Sequence, residues 1–202
     1  MLQIQSTQEV GFFSGLDIHQ YLASLAEVSG QSLFMEIGFP LIAIDDGYAG
    51  IKASWLAVED GKLTLMNDSI VSMAGRGRCL NSIGSGVPSL YCSDDAEYTV
   101  SAYLDASKVE DTRHDDYGVR PINRMLVHAL LNKIGITNGQ KVGIVTGLPL
   151  EQFLKGSDGI NQVYIDRKTA NIKHPVNIGI RGEPSADIVF HGCFAEAMGG
   201  GF

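Results

Sequence analysis

Residues 42–52, IAIDDGYAGIK, place two adjacent carboxylates at the end of an apolar run and follow them with glycines. The run that leads into them, LIAID at residues 41–45, is almost continuously apolar and has the length of a strand buried on both faces. Asp45 ends this strand, and open α/β sheets place their ligands at the carboxyl ends of strands. The stretch therefore predicts a turn at a ligand-binding edge, with an ordinary Asp-Asp-Gly turn as the simpler interpretation.

The sequence that follows predicts an antiparallel meander. Residues 51–58, IKASWLAV, alternate well enough for a second strand. Glu59, Asp60 and Gly61 predict a hairpin turn, because Asp-Gly tolerates positive φ, and residues 62–66 predict the returning strand. We therefore expect three antiparallel strands at the start of the domain.

A helix and further strands follow. Residues 121–134, PINRMLVHALLNKI, place their apolar side chains on one helical face, with Pro121 in the first turn and Gly135 suited to a left-handed cap. This order of elements fits an α/β fold with a ribonuclease H-like layer. The other predicted elements are a buried strand at 141–146, a polar helix at 161–172 and closing strands at 176–181 and 186–191.

Two segments are expected to lie outside this layer. Residues 1–34 predict an N-terminal extension, with apolar residues at helical spacing over residues 16–30, and the main domain is expected over residues 35–202. Residues 68–105 carry many Gly and Ser residues and predict an inserted small subdomain of short strands and loops. Residues 110–117, EDTRHDDY, predict a polar loop.

Composition restricts the classes of partner. The chain has 202 residues with a formal net charge of −8 and no run of Lys or Arg, so we expect no direct nucleic-acid binding. No apolar run approaches the ~20 residues of a membrane-spanning helix. The three cysteines lack metal-ligand spacing, and an odd count without a signal-like start favours a cytoplasmic location.

Residues 44–55, IDDGYAGIKASW, resemble the first phosphate loop of the ParM/StbA family of actin-like plasmid segregation ATPases. Three further stretches resemble the same family in the same order: VHALLNKIG at 127–135, VGIVTGLPLEQF at 142–153 and IDRKTANI at 165–172. The resemblance covers about residues 37–198 and implies an actin-like ATPase N-terminal lobe.

The family has two related lobes with a nucleotide between them, and this chain resembles the first lobe, domain I, only. The sequence shows no second glycine-rich hairpin of the Asp-x-Gly-Gly-Thr kind, so we expect the second lobe to be absent from this chain. The resemblance implies ATP or ADP with Mg²⁺ as cofactors and ATP-dependent self-association into filaments, with hydrolysis coupled to polymerisation. It also implies a centromere-binding adaptor protein as a partner, and no membrane.

The resemblance assigns the phosphate site to the first hairpin. Asp45 would hold Mg²⁺ beside the phosphates, and Lys52 would add a positive charge. Asp46 and Gly47 would form the turn, with backbone N–H groups from Gly47 through Tyr48 to residue 50 facing phosphate oxygens. The alternative is a hairpin turn with Lys52 solvated.

Three more residues are candidates further along the chain. Arg167 and Lys168 occur in the segment that resembles the family's nucleotide-side helix, where they would reach ribose or phosphate. A solvated helix face is the alternative. Glu196 falls near the family's Glu that orients the attacking water, which makes it the candidate catalytic residue, against a surface Glu as the alternative.

Two other functions compete with a segregation ATPase. A first lobe alone could be a non-catalytic interaction or filament-capping module. A ribonuclease H-like nuclease would need several carboxylates converging on two metal ions. Asp45 and Asp46 are adjacent on one strand and point to opposite faces, so we do not expect nuclease chemistry.

Overall fold

The computed structural model describes residues 5–7, 39–60, 62–79, 89–156 and 159–195. The predicted helix over residues 16–30 lies outside these residues. The strands are β1 Gln5–Thr7, β2 Leu41–Asp46, β3 Gly50–Glu59, β4 Lys62–Val71, β5 Ala74–Arg76, β6 Ser89–Cys92, β7 Glu97–Val100, β8 Lys141–Leu148, β9 Asn177–Ile178, β10 Glu183–Pro184 and β11 Asp187–Ala195. The α-helices are α1 Pro121–Lys133, α2 Leu150–Phe153 and α3 Gln162–Ile172, and short 3₁₀ turns occupy Ala106–Lys108 and Tyr117–Val119.

The main sheet contains six of the described strands in the order β1-β4-β3-β2-β8-β11. The predicted meander is confirmed, because β2 pairs with β3 and β3 with β4 in antiparallel register. Asp60 has a φ of 52°, as the predicted hairpin turn requires. β8 lies parallel to β2, and β11 lies parallel to β8, so several strands end at the same edge of the sheet.

Helix α1 fills the covered face of the main sheet. Ten of its thirteen residues are buried, among them Ile122, Met125 and Leu130, which are 0% exposed. Pro121 begins the helix and Gly135 follows its end with a φ of 91°, both as predicted, although the helix ends one residue early, at Lys133. The helix is buried nearly all round because the main sheet covers one side and β6 and β7 cover another.

The second sheet has the order β10-β9-β6-β7-β5 among the described residues. Three of its strands come from the region predicted as the inserted subdomain, but the predicted boundary at residue 68 falls inside β4, which continues to Val71. The closing strand predicted at 186–191 is confirmed as part of β11, Asp187–Ala195, whereas the prediction of a strand over 176–181 is wrong. Residues 177–184 instead form a hairpin of two short strands, β9 and β10, with two residues each, and this hairpin joins the small sheet.

The opposite face of the main sheet is open over the described residues. Ile42 and Ile44 point into the core, while Leu41, Ala43 and Asp45 alternate with them and are exposed. The prediction that β2 is buried on both faces is therefore wrong for this part of the chain. Phe190 and Phe194 on β11 share the open face and are 45% and 62% exposed.

The described helices include none that is long and apolar enough to span a bilayer.

Candidate functional site

The two adjacent carboxylates of the first hairpin lie on opposite faces of the main sheet. The Asp45 side chain is 62% exposed on the open face, whereas the Asp46 side chain is 4% exposed on the covered face. This separation follows from the two-residue repeat of a β-strand. Two distinct environments therefore meet at the carboxyl end of β2, and the predicted site residues divide between them.

Asp46 and Lys168 form a buried ion pair on the covered face. Lys168 Nζ lies 3.0 Å from Asp46 Oδ2 and also donates to the carbonyl oxygen of Gly147 at 2.7 Å. Asn123 Nδ2 donates to the same Asp46 carboxylate at 2.7 Å. These contacts connect the ends of β2 and β8 to α1 and α3. Lys168, which is 2% exposed, does not lie on a solvated helix face, and the geometry favours a role in holding the strand ends together.

Asp45 and Lys52 face each other on the open face, with Lys52 Nζ 3.4 Å from Asp45 Oδ2. They are direct partners in the β2–β3 register, which places both side chains on the same side of the hairpin. The pair lines a cavity of about 450 Å³, together with Ser54, Gly147 and Phe194. An exposed carboxylate and an ammonium group at the carboxyl end of a sheet are groups that can hold a metal ion and an anion.

The turn between β2 and β3 is built for close backbone approach. A Cβ atom at Gly47 would lie 3.1 Å from the carbonyl oxygen of Gly50, and one at Gly50 would lie 3.2 Å from the carbonyl oxygen of Ile70. Ser72 Oγ donates to the Gly47 carbonyl at 2.9 Å, and Thr112 Oγ1 donates to the Tyr48 carbonyl at 2.7 Å. The turn is therefore fixed by two neighbouring segments.

The polar loop at residues 110–117 packs beside this turn and closes a smaller cleft. The ring centroids of Tyr48 and Tyr117 are 5.4 Å apart. Gln152 Nε2 and Tyr164 Oη both donate to the carbonyl oxygen of Asp115, at 2.9 and 3.1 Å. The cleft measures about 150 Å³. Burial raises the pKa of Tyr164 to about 12, so its hydroxyl stays protonated and can donate at neutral pH.

His191 lies behind the cleft, on the covered face. Its Nε2 is 2.9 Å from Thr146 Oγ1 and its Nδ1 is 2.8 Å from Thr169 Oγ1, so the ring connects β8 to α3. Burial, with the nearby charge of Lys168, lowers the pKa of His191 to about 4, and the ring is neutral at pH 7. His191 falls at the end of the closing strand predicted at 186–191, and the alternation of residues 187–195 is the signal that places its side chain on the covered face.

One further group has the geometry of a metal site. Ligand atoms of Asp94, Asp95 and His174 lie within 4.8 Å of one another. However, the guanidinium of Arg124, whose side chain is 3% exposed, forms an ion pair with Asp95. A cation at this position would sit beside a fixed positive charge, so the group is better described as a surface ion-pair cluster.

The remaining predicted residues do not join the site geometry. Arg167 is exposed on α3, next to the buried Lys168. Glu196, the candidate catalytic residue, lies outside the described residues. The structure thus brings together Asp45 with Lys52, and Asp46 with Lys168, at the two faces of one strand end.

Solved structures with the same fold include an archaeal actin homologue at 16% identity and a TM-score of 0.55, with 78% of this chain matching 45% of that one. The same homologue in complex with ADP matches at 15% identity and a TM-score of 0.50, over 78% of this chain and 44% of that one. The AlfA filament structure from a B. subtilis plasmid matches at 13% identity and a TM-score of 0.51, over 79% and 57%.

The chain spans about half the length of the structures that it matches. No curated protein matches it significantly. These likenesses confirm the predicted actin-like α/β fold of one lobe. A family model described as the N-terminal part of the plasmid segregation protein ParM matches residues 41–198, in agreement with the predicted range of about 37–198. The chain belongs to the family of ParM-type actin-like plasmid segregation proteins, of which it contains the N-terminal lobe.

Proposed function

We propose that this lobe binds ATP or ADP with Mg²⁺ on the open face of the main sheet, as the first half of an actin-like, StbA-type segregation ATPase. The observation that carries the proposal is the Asp45–Lys52 pair, which lies beside the glycine turn and lines a cavity of about 450 Å³. The ADP complex of the archaeal actin homologue, which has the same fold, supports it.

The residues at this edge fit a metal–phosphate group. Asp45 supplies an exposed carboxylate, and hard cations such as Mg²⁺ prefer oxygen ligands. Lys52 supplies a point charge for a phosphate oxygen, and the backbone of the turn supplies N–H donors. When bound, Mg²⁺ would neutralise charge on the phosphate oxygens. Asp46 and Lys168 would act behind the site by fixing the turn.

The proposed function also includes ATP hydrolysis and assembly into filaments. Glu196 is the proposed residue that orients the attacking water. Polymerisation into filaments would follow from ATP-driven closure of two lobes, because a ligand that binds the closed state better shifts the population towards it. The filament structure of AlfA supports self-association. A centromere-binding adaptor and a cytoplasmic location are proposed with it.

A second candidate is a non-catalytic interaction or filament-capping module. Phe190 and Phe194 favour it, because two exposed aromatic rings on an open sheet face are suited to a protein contact. In this case the lobe would associate with a filament without binding nucleotide.

Calorimetry distinguishes the two candidates. The 202-residue chain is titrated with ATP and Mg²⁺, beside an Asp45→Ala variant and an Asp187→Ala control. Asp187 is an exposed carboxylate at the start of β11, at the opposite edge of the same sheet. Binding that is lost only in Asp45→Ala supports the nucleotide site. A folded wild-type chain that binds no ATP but co-sediments with filaments of a two-lobe relative supports the capping module.

A further inference from the structure

The turn between β2 and β3 has three successive carbonyl groups that accept hydrogen bonds from the protein. Ser72 Oγ donates to Gly47 at 2.9 Å, Thr112 Oγ1 donates to Tyr48 at 2.7 Å, and the Ser72 backbone N–H donates to Ala49 at 3.2 Å. The two donor residues come from different segments, the end of β4 and the loop at 110–117. The turn is thus held from two sides by its carbonyl oxygens.

Because each peptide group is planar, a contact that holds its C=O also fixes the direction of its N–H. In a trans peptide the C=O and the following N–H point in opposite directions. The Gly47 carbonyl is held by Ser72, so the Tyr48 N–H points the other way. The Tyr48 carbonyl is held by Thr112, so the Ala49 N–H points away from Thr112. Backbone N–H groups of a turn can form a concave site that binds anions, and these contacts fix the direction of two such groups.

Both donor side chains are buried. Ser72 is 5% exposed and Thr112 is 6% exposed, so neither hydroxyl is available to solvent. Thr112 lies between the exposed residues Asp111 and Arg113, in a loop that Gln152 and Tyr164 fix through the Asp115 carbonyl. A buried hydroxyl in a surface loop is costly unless it is satisfied, and here the turn carbonyl satisfies it.

We propose that Ser72 and Thr112 are positioning residues that hold the carbonyl side of the turn, so that its N–H side faces the phosphates of the nucleotide. Neither side chain touches the ligand. The inference rests on the proposed nucleotide site and adds that the loop at 110–117 controls affinity for the phosphate part of the ligand. Loss of either hydroxyl would free a peptide to rotate and so misdirect its N–H.

The test compares Thr112→Val, which removes only the donor, with Thr112→Ser, which restores it. Thr99→Val is the matched control, because Thr99 is equally buried and donates to the Gly77 carbonyl in the small sheet. We expect Thr112→Val to weaken ATP–Mg²⁺ binding about tenfold, the size of one hydrogen bond, and Thr112→Ser to bind within about twofold of wild type. Thr99→Val should lower the melting temperature without changing affinity, and Ser72→Ala should resemble Thr112→Val.

Backbone amide resonances give a readout that needs no ligand. In Thr112→Val we expect the amide signals of Tyr48 and Ala49 to move, while in Thr99→Val they stay. Wild-type affinity in Thr112→Val, or unmoved signals, would overturn the inference. If the wild-type chain binds no ATP while those signals still move in Thr112→Val, the turn is held as described and the proposed nucleotide function alone fails.

Discussion

Asp46 and Lys168 form an ion pair inside the protein, with side chains that are only 4% and 2% exposed and a separation of 3.0 Å between Oδ2 and Nζ. Removal of one partner leaves the other charge buried and unpaired. We expect Lys168→Met to lower the free energy of unfolding by about 3–5 kcal/mol, measured by urea denaturation. Arg167→Met, at the exposed neighbour, should change it by less than about 0.5 kcal/mol.

The double variant Asp46→Asn, Lys168→Met checks the reason for that loss. Neutralising the orphaned carboxylate should recover part of the stability, since the cost comes from an uncompensated charge. A double variant as unstable as the sum of the two single variants would contradict this explanation.

Acid should destabilise the protein through His191. Its pKa is about 4 in the folded state against about 6.5 when unfolded, so the unfolded chain binds more protons between these values. The stabilising contribution is full above pH 6.5 and is lost as the pH falls from there through 4, by about 3 kcal/mol. His128, whose pKa burial lowers to about 3, acts in the same direction.

Unfolding free energies measured from pH 7.5 to 4 should therefore fall less steeply in His191→Gln than in wild type. Gln retains hydrogen-bonding groups but does not titrate. His114→Gln, at an exposed loop position, is the matched control. Parallel curves for wild type and His191→Gln would rule out His191 as the source.

Lys52 should contribute to anion binding and Lys62 should not. The two lysines occupy the opposite ends of the β3–β4 hairpin, and only Lys52 lines the cavity with Asp45. We expect Lys52→Met to weaken ATP–Mg²⁺ binding about tenfold, the value of one charge-assisted contact, and to reduce its salt dependence. Lys62→Met should match wild type in calorimetry; an equal loss in both would indicate a non-specific charge effect.

Gly75 should be intolerant of a side chain. A Cβ atom there would lie 2.6 Å from the carbonyl oxygen of Lys108, a backbone atom that cannot rotate away. Gly75→Ala should lower the free energy of unfolding by about 1–3 kcal/mol in urea denaturation. Gly192→Ala, on a strand where the nearest atoms are ring carbons at 3.4 Å, should cost less. Equal stability of the two variants would argue against the packing of β5 on the 106–108 turn.

Local patterns were sufficient to predict the main sheet and one half of the site. The β2–β3 hairpin fixes the register of Asp45 and Lys52 within seven residues, so their proximity follows from strand geometry. The Asp46–Lys168 pair could not be predicted in the same way. A lysine in a polar helix usually faces solvent, and only the packing of α3 on the covered face brings Lys168 to a carboxylate 122 positions away.

Two further predictions from the sequence were wrong for similar reasons. The β9–β10 hairpin has two residues on each side, too few for an alternating pattern, and it is defined by pairing with distant Tyr91 and Cys92. The apolar run of β2 suggested burial on both faces, but Leu41 and Ala43 face the open side of the sheet. Hydrophobicity alone does not distinguish an apolar strand face that is covered from one that is exposed.

The pairing of β9 with β6 also determines the order in which the protein can be completed. Synthesis proceeds from the amino terminus, so β6 leaves the ribosome long before Asn177 and Ile178, its partners on one side. Until then β6 has an unpaired edge, and unpaired edges recruit other chains. The small sheet is therefore a late-assembling unit whose closure depends on the far end of the lobe, and a nascent chain truncated before residue 177 would present an aggregation-prone edge.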